Sequence, residues 1–166
     1  MGLIAVAVVL DSPGGAIFAQ ERVGRDNRLF RLYKFRSMRR GTPNISTAEL
    51  QAHAASHVTR IGAFLRRTSL DELPQLVNIL RGEMSLVGPR PALPSQSHLN
   101  ELRTAEGVAD LLPGITGWAQ INGRDELTDE QKVAHDAYYR HHRSFRLDLA
   151  ILFRTVTAVI SGRGNR

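Results

Sequence analysis

The chain has 166 residues, the size of a single domain, and 42% of them are hydrophobic, enough to form a folded core. Cysteine is absent, which excludes disulfides and thiol catalysis. The formal net charge of +6 favours anionic partners, such as phosphates, nucleic acid or an anionic membrane surface. Lys34 and Lys132 are the only lysines among the 22 basic residues, and arginine suits bidentate contacts with phosphate.

The chain begins with an uncharged apolar stretch, "GLIAVAVVL", at residues 2–10. A membrane-spanning helix needs about 20 such residues, so this stretch cannot cross a bilayer alone. It also lacks the basic region that opens a signal peptide. Two interpretations follow: a buried strand, or the last part of a longer hydrophobic helix.

Two strands separated by a turn then predict a β-hairpin. "AIFAQERV" at residues 16–23 and "RLFRLYKFRSM" at residues 28–38 flank the turn sequence "GRDN". The second strand carries Lys34 and Arg36 among aromatic residues. Such a strand is typical either of a nucleic-acid surface or of a sheet with one solvated face.

The middle of the chain predicts helices. Ser46 and Glu49 have the spacing of a capping box, which predicts a helix from residue 46 to about residue 57. A helical apolar stripe follows at residues 61–65, next to Arg66 and Arg67.

Two adjacent carboxylates, Asp71 and Glu72, follow these arginines and precede Pro74. Leucines and a valine recur at helical spacing through residue 80, and proline is tolerated only in the first turn of a helix. One interpretation is therefore structural, with Asp71 as the N-cap of a helix that starts there. The other is chemical, because a carboxylate among arginines can attack a phosphate drawn to the same place.

The second half of the chain alternates loops and helices. "SLVGPRPALP" at residues 85–94 predicts a proline-rich loop that holds Arg90 rigidly. A helix is predicted at residues 96–103, and a short strand at residues 118–121 within the glycine-punctuated loop "LPGITGWAQINGR". A capping box of Thr128 and Gln131 predicts a polar helix to about residue 142, and a last apolar helix is expected to stop at Gly162. Asn122 and Arg124 lie in the glycine-rich loop, where they are candidates to touch a nucleotide.

Five blocks in this order resemble the catalytic domain of the bacterial sugar transferases, the monotopic polyprenyl-phosphate phosphoglycosyl transferases. They are "DSPGGAIFAQERVGR", "FRLYKFRSM", "RIGAFLRRTSLDELPQLVNILRGEMSLVGPRP", "PGITGWAQINGR" and "DAYY…LDLAILFRTV…SGRG". The similarity runs from Asp11 to Gly162, and the third block is long and highly specific.

This resemblance implies a reaction and roles for particular residues. Members of the family transfer a phosphosugar from a UDP-sugar to polyprenyl (undecaprenyl) phosphate by a ping-pong mechanism, which yields polyprenyl-diphosphate-sugar and UMP. Asp71 corresponds to the nucleophile of the family, and Glu72 to the ligand of Mg²⁺. Arg66 and Arg90 correspond to arginines expected to hold phosphate. Lys34, Arg36, Asn122 and Arg124 complete the residues that we expect to bind substrate.

The expected organisation is a remnant of an N-terminal membrane helix at residues 1–10 and a catalytic domain at residues 11–166. The expected fold is mixed α/β, with mostly short amphipathic helices and a small antiparallel hairpin, resting on the cytoplasmic face of the bacterial inner membrane. Family members carry a longer N-terminal hydrophobic helix, so an inactive truncated transferase is one alternative. A basic nucleic-acid-binding module is the other, although we expect no nucleic-acid partner.

Overall fold

The computed structural model describes residues 1–42, 57–123 and 126–161. The helix predicted from Ser46 lies, except for its expected end at His57, outside the described residues, as do Arg124 and Gly162. The fold is mixed α/β with helices dominant, as predicted.

The N-terminal stretch forms helix α1, Gly2–Asp11, so the alternative of a buried strand is wrong. A uniformly apolar run has no periodicity that distinguishes the two. Val8 is buried against the core, whereas Leu3 and Leu10 are 89% and 82% exposed. The carboxylate of Asp11 accepts a 2.9 Å hydrogen bond from the backbone N–H of Ile61, which joins the end of α1 to the next helix.

The predicted hairpin is confirmed. Strand β1, Ile17–Val23, pairs antiparallel with strand β2, Leu29–Phe35. The register sets Ile17 opposite Phe35 and Gln20 opposite Leu32. Leu32 and Phe35 are both buried, and Phe35 packs with Val8 of α1 and with Leu65 of the helix that follows the hairpin.

The segment around the two carboxylates contains two helices separated by a tight turn. Helix α2, Arg60–Thr68, ends at Ser69, whose φ of +56° lies in the left-handed region. A 3₁₀ turn, Leu70–Glu72, comes next, and helix α3, Gln75–Leu80, begins only after Pro74.

The prediction that Asp71 caps a helix starting there is therefore wrong. Asp71 is the middle residue of the 3₁₀ turn, and Pro74 occupies the N-cap of α3. Leu70 and Leu73 both pack against the buried cluster formed by Val8, Phe35 and Leu65. Side chains three residues apart eclipse one another in a 3₁₀ turn, so the tighter turn places both leucines on the core side.

A small parallel pair of strands joins the proline-rich loop to the glycine-rich loop. Strand β3, Ser85–Val87, pairs with strand β4, Gly114–Thr116. The strand predicted at residues 118–121 is wrong, because Trp118–Ile121 forms the short helix α5. A Cβ on Gly114 would lie 2.1 Å from the backbone nitrogen of Gly88, so the close approach of the two segments requires glycine here.

The remaining predicted helices are confirmed. Helix α4 spans Ser97–Ala105, helix α6 spans Asp129–His142 and helix α7 spans Phe145–Ile160. Both bonds of the predicted capping box between Thr128 and Gln131 are present at the start of α6.

Three hydrophobic clusters make up the core of the described residues. The first joins β3, α6 and α7, the second joins α1, β2 and α2, and the third joins α4 and α6. Within residues 1–42, 57–123 and 126–161, none of the helices combines the length and apolar character that a membrane crossing requires.

Candidate active site

The 3₁₀ turn presents the two carboxylates to strand β2 and to the proline-rich loop. Thr68 ends α2 by donating from its hydroxyl to the carbonyl of Phe64. The left-handed residue Ser69 then reverses the chain, and the N–H of Glu72 donates back to the carbonyl of Ser69 at 3.2 Å. Asp71 and Glu72 are thus fixed by backbone geometry and by the half-buried leucines on either side of them, Leu70 and Leu73.

Glu72 lies between two cations. The ammonium group of Lys34 on β2 donates to Glu72 Oε1 at 2.9 Å, and the guanidinium of Arg90 approaches the same oxygen to 3.8 Å. The side chain of Glu72 is 15% exposed. Ion pairs shielded from water in this way are screened less than surface pairs, so Glu72 links β2 firmly to the proline-rich loop.

Asp71 lies in the same field of charges. Burial raises the pKa of Asp71 above its ordinary value, and the negative charge of Glu72 raises it further. The positive charges of Lys34 and Arg66 act in the opposite direction. A carboxylate with a raised pKa is a more basic group, and therefore a stronger nucleophile in its ionised form.

The structure therefore brings together five of the residues singled out from the sequence: Asp71, Glu72, Lys34, Arg66 and Arg90. They come from β2, α2, the 3₁₀ turn and the proline-rich loop. Their roles in binding and catalysis stay predictions.

Arg22 is a member of this cluster that sequence reasoning missed. Burial first, and then repulsion by Arg90, lowers the pKa of the Arg22 guanidinium to about 10, while Glu72 acts in the opposite direction. Arg22 donates to the side chain of Gln20 and, at 3.1 Å, to the carbonyl of Pro91. Alternation along β1 puts Gln20 and Arg22 on one face, a signal that was present in the sequence.

Arg36 makes its contacts elsewhere. Its guanidinium donates to the carbonyl of Pro13 at 2.7 Å and to the carbonyl of Ser12. Arg36 is 9% exposed. It holds the turn after α1 against the end of β2, and the structure does not bring it to Asp71 and Glu72, the carboxylate dyad.

Asn122 also makes its contacts elsewhere. Its amide group donates to the carbonyl of Trp118 at 2.8 Å, and its side-chain oxygen accepts from Arg154 of α7 at 3.3 Å. The same guanidinium lies 5.8 Å from the centre of the Trp118 ring, which in turn stacks on Tyr138 at 5.2 Å. These contacts connect Asn122 to α7 and not to the dyad, while the neighbouring Arg124 lies outside the described residues.

The acidic residues at the site suit a magnesium ion that is shared with a substrate. Mg²⁺ prefers oxygen ligands, and it is usually held by one or two carboxylates together with phosphate oxygens and water. Asp71 and Glu72 supply such carboxylates beside cations that attract phosphate. Among the described residues, no group of three or more His, Cys, Asp or Glu has the arrangement of an all-protein metal site. Carboxylates in this number suit an ion whose remaining ligands are phosphate oxygens and water.

A carboxylate of raised pKa among cations suits reactions at phosphorus, since the cations can neutralise the charge of a phosphate group. The chain belongs to the bacterial sugar transferase family, whose model matches residues 1–162.

Its similarity to individual relatives extends over nearly its whole length. It is 44% identical to the undecaprenyl-phosphate glucose phosphotransferase of Komagataeibacter xylinus, over 97% of this chain and 32% of that protein. It is 44% identical to the UDP-glucose:undecaprenyl-phosphate glucose-1-phosphate transferase of Escherichia coli (strain K12), over 92% of this chain and 34% of that protein. It is 39% identical to the UDP-N-acetylgalactosamine-undecaprenyl-phosphate N-acetylgalactosaminephosphotransferase of Aeromonas hydrophila, over 98% of this chain and 39% of that protein. The chain thus spans between 32% and 39% of the length of these relatives.

Proposed function

We propose that this chain transfers a sugar 1-phosphate from a UDP-sugar to undecaprenyl phosphate, forming polyprenyl-diphosphate-sugar and UMP. The observation that carries the proposal is the position of Asp71. It is partly buried beside Glu72 and within reach of the positive charges of Lys34 and Arg66, and the guanidinium of Arg90 lies 3.8 Å from Glu72. The names of the three relatives support the same reaction, since each names an undecaprenyl-phosphate phosphotransferase or sugar-1-phosphate transferase.

In the first step of the proposed reaction, a carboxylate oxygen of Asp71 attacks the phosphorus that carries the sugar. The bond from this phosphorus to the bridging oxygen breaks, and UMP leaves with the electron pair. Asp71 then carries the phosphosugar as an acyl phosphate. In the second step, a phosphate oxygen of undecaprenyl phosphate attacks the same phosphorus, and the carboxylate of Asp71 is released unchanged.

The cations of the cluster stabilise charge that develops in both steps. Arg66 and Arg90 would hold phosphate oxygens, and Lys34 donates to Glu72 and so fixes its orientation. Glu72 would hold Mg²⁺ together with the diphosphate. When bound, the ion neutralises part of the negative charge on the diphosphate.

The proposed location is the cytoplasmic face of the bacterial inner membrane, where a polyprenyl phosphate acceptor is anchored. The side chains that support this location lie on α1 and α7, two helices that both contact α2. Leu3 and Leu10 of α1 are exposed, as are Phe145, Phe153 and Ile160 of α7. Large exposed apolar side chains of this kind favour burial in the interfacial region of a bilayer.

The test measures UMP release by this chain in detergent with Mg²⁺ and undecaprenyl phosphate. UDP-glucose, UDP-galactose and UDP-N-acetylgalactosamine are supplied separately. We expect release from one of these donors, and loss of release in Asp71→Asn. Asp110→Asn is the matched control, because Asp110 is a surface carboxylate paired with Arg140. No release from any donor would count against the proposed activity of this chain.

A partial reaction tests the covalent step separately. Labelled UMP should exchange into the UDP-sugar when undecaprenyl phosphate is left out, because the first step is reversible and needs no acceptor. Turnover with both substrates but no exchange without the acceptor would refute the acyl-phosphate intermediate.

A further inference from the structure

The proline-rich loop is held by a continuous row of backbone contacts. Four successive carbonyls, from Pro89 to Ala92, each accept a hydrogen bond from a group outside the loop. The donors, in the order of the carbonyls, are the N–H of Gly114, the guanidinium of Arg103, the guanidinium of Arg22 and the N–H of Val23. Since the two flanking prolines also fix their own φ angles, the backbone at Arg90 has little freedom.

Arg103 is the donor that reaches the carbonyl of Arg90 itself, at 2.8 Å. Its other two guanidinium nitrogens donate to Oδ2 of Asp136, at 3.0 and 2.7 Å. Arg103 is 9% exposed and Asp136 is 2% exposed. All three nitrogens of this guanidinium are used within the protein, which suits it to holding the loop.

The side chain of Arg90 extends from this fixed backbone towards the dyad, and its guanidinium approaches Glu72 to 3.8 Å. A connected series thus runs from Asp136 on α6, through Arg103 on α4, to Arg90 and Glu72. A displacement of the Arg90 backbone would move its guanidinium relative to the dyad, and misplacement by about 1 Å can lower a rate by about 100-fold.

We propose that Arg103, oriented by Asp136, is a positioning residue that fixes the backbone of Arg90 and so aims its guanidinium at the donor diphosphate. The inference rests on the proposed function, because it assigns Arg103 to the support of a phosphate-holding arginine. It predicts that replacing Arg103 and Asp136 changes the turnover rate only through the position of Arg90.

The main test is the double variant Arg103→Met/Asp136→Leu. It removes both charges together and leaves no unpaired buried charge, so the fold is expected to survive. We expect kcat for UMP release to fall by about 10- to 100-fold while Tm stays close to that of the native chain.

The matched control is Arg140→Met. Arg140 also forms a bidentate ion pair, with Asp110, at 2.7 to 3.1 Å. This pair is more exposed than the pair of Arg103 and Asp136, and the hydrogen bonds of the Arg140 guanidinium go to Asp110 and not to the proline-rich loop. We expect kcat of this control to match that of the native chain. An equal loss of kcat in the control would overturn the inference.

A double-mutant cycle with Arg90→Met separates positioning from general structural support. If Arg103 and Asp136 act through Arg90, their replacement should cause no further loss of kcat once Arg90 is gone. A full, additive loss in the combined variant would refute the proposed route.

Hydrogen exchange provides a readout that does not depend on turnover. Amide exchange in a peptide covering residues 88–93 should be faster in the double variant than in the native chain and in Arg140→Met. Unchanged exchange would overturn the inference even if the chain released no UMP, whereas faster exchange in an inactive chain would support it and count only against the proposed function.

Discussion

Replacing Asn78 of α3 with alanine should destabilise the protein more than the same replacement of Asn100 in α4. Asn78 is fully buried. Its side-chain oxygen accepts from the N–H of Tyr33 at 3.1 Å, and its amide group donates to the carbonyl of Arg31 and to Glu83, both at 2.7 Å. These bonds attach α3 to β2, the strand that carries Lys34.

The magnitude follows from the three bonds. A neutral hydrogen bond contributes about 1 kcal/mol net, and one to a charged group about 1.5–3 kcal/mol. Asn78→Ala should therefore lower the free energy of unfolding by about 3–5 kcal/mol. For a chain of this length, that corresponds to a decrease in Tm of roughly 6–20 °C.

Thermal and urea unfolding of the purified chain in detergent would measure the loss. Asn100→Ala is the matched control, because the Asn100 side chain donates one bond, to the carbonyl of Leu93 at 3.1 Å, and should cost about 1 kcal/mol. Asn78→Asp tests the direction of the bonds, since it sets a carboxylate against Glu83 and should recover stability as the pH is lowered. If Asn78→Ala costs no more than Asn100→Ala, the assignment of these bonds is wrong.

Two further predictions concern stability at and beside the site. Burial raises the pKa of Asp71 in the folded state, so the contribution of this carboxyl group to stability is fully present below its ordinary pKa and is lost as the pH rises through the raised value. Asp71→Asn should therefore raise Tm at pH 7 in EDTA. A lower Tm of this variant would contradict the predicted sign. A Cβ on Gly62 would lie 2.0 Å from the carbonyl oxygen of Ser37, so Gly62→Ala should lower the unfolding free energy by about 1–3 kcal/mol or more. Gly15→Ala, with open space around the new methyl group, serves as its control in the same urea titration, and equal effects of the two substitutions would refute the packing argument.

The elements with strong local signals were predictable. The capping box at Thr128 and Gln131 located the start of α6, because both bonds form within four residues and need no tertiary partner. The hairpin was equally clear from its alternation and its turn. By contrast, three-residue strands such as Ser85–Val87 are too short to show any periodicity, so the parallel pair was missed.

The site was predictable from its motif but not in its local geometry. Helical spacing of apolar residues suggested that Asp71 caps a helix, whereas the packing of Leu70 and Leu73 against a distant cluster selects a 3₁₀ turn. Arg36 shows the same limit. Its basic, strand-borne side chain resembled a phosphate ligand, but tertiary structure places it against the carbonyls of Ser12 and Pro13.

The row of anchored carbonyls from Pro89 to Ala92 also constrains the order in which the chain can fold. Its donors are far apart in sequence: Arg22 precedes Pro91 by 69 residues, and Arg103 needs Asp136, which follows it by 33 residues. Contacts between residues far apart in sequence form slowly, because the chain loses the conformational entropy of closing a long loop before the contact stabilises the fold. During synthesis, Asp71 and Glu72 emerge before Arg103 and Asp136, the pair that holds the backbone of Arg90. The support of the Arg90 backbone is complete only when α6 has docked, so the growing chain lacks part of this support until late in its synthesis.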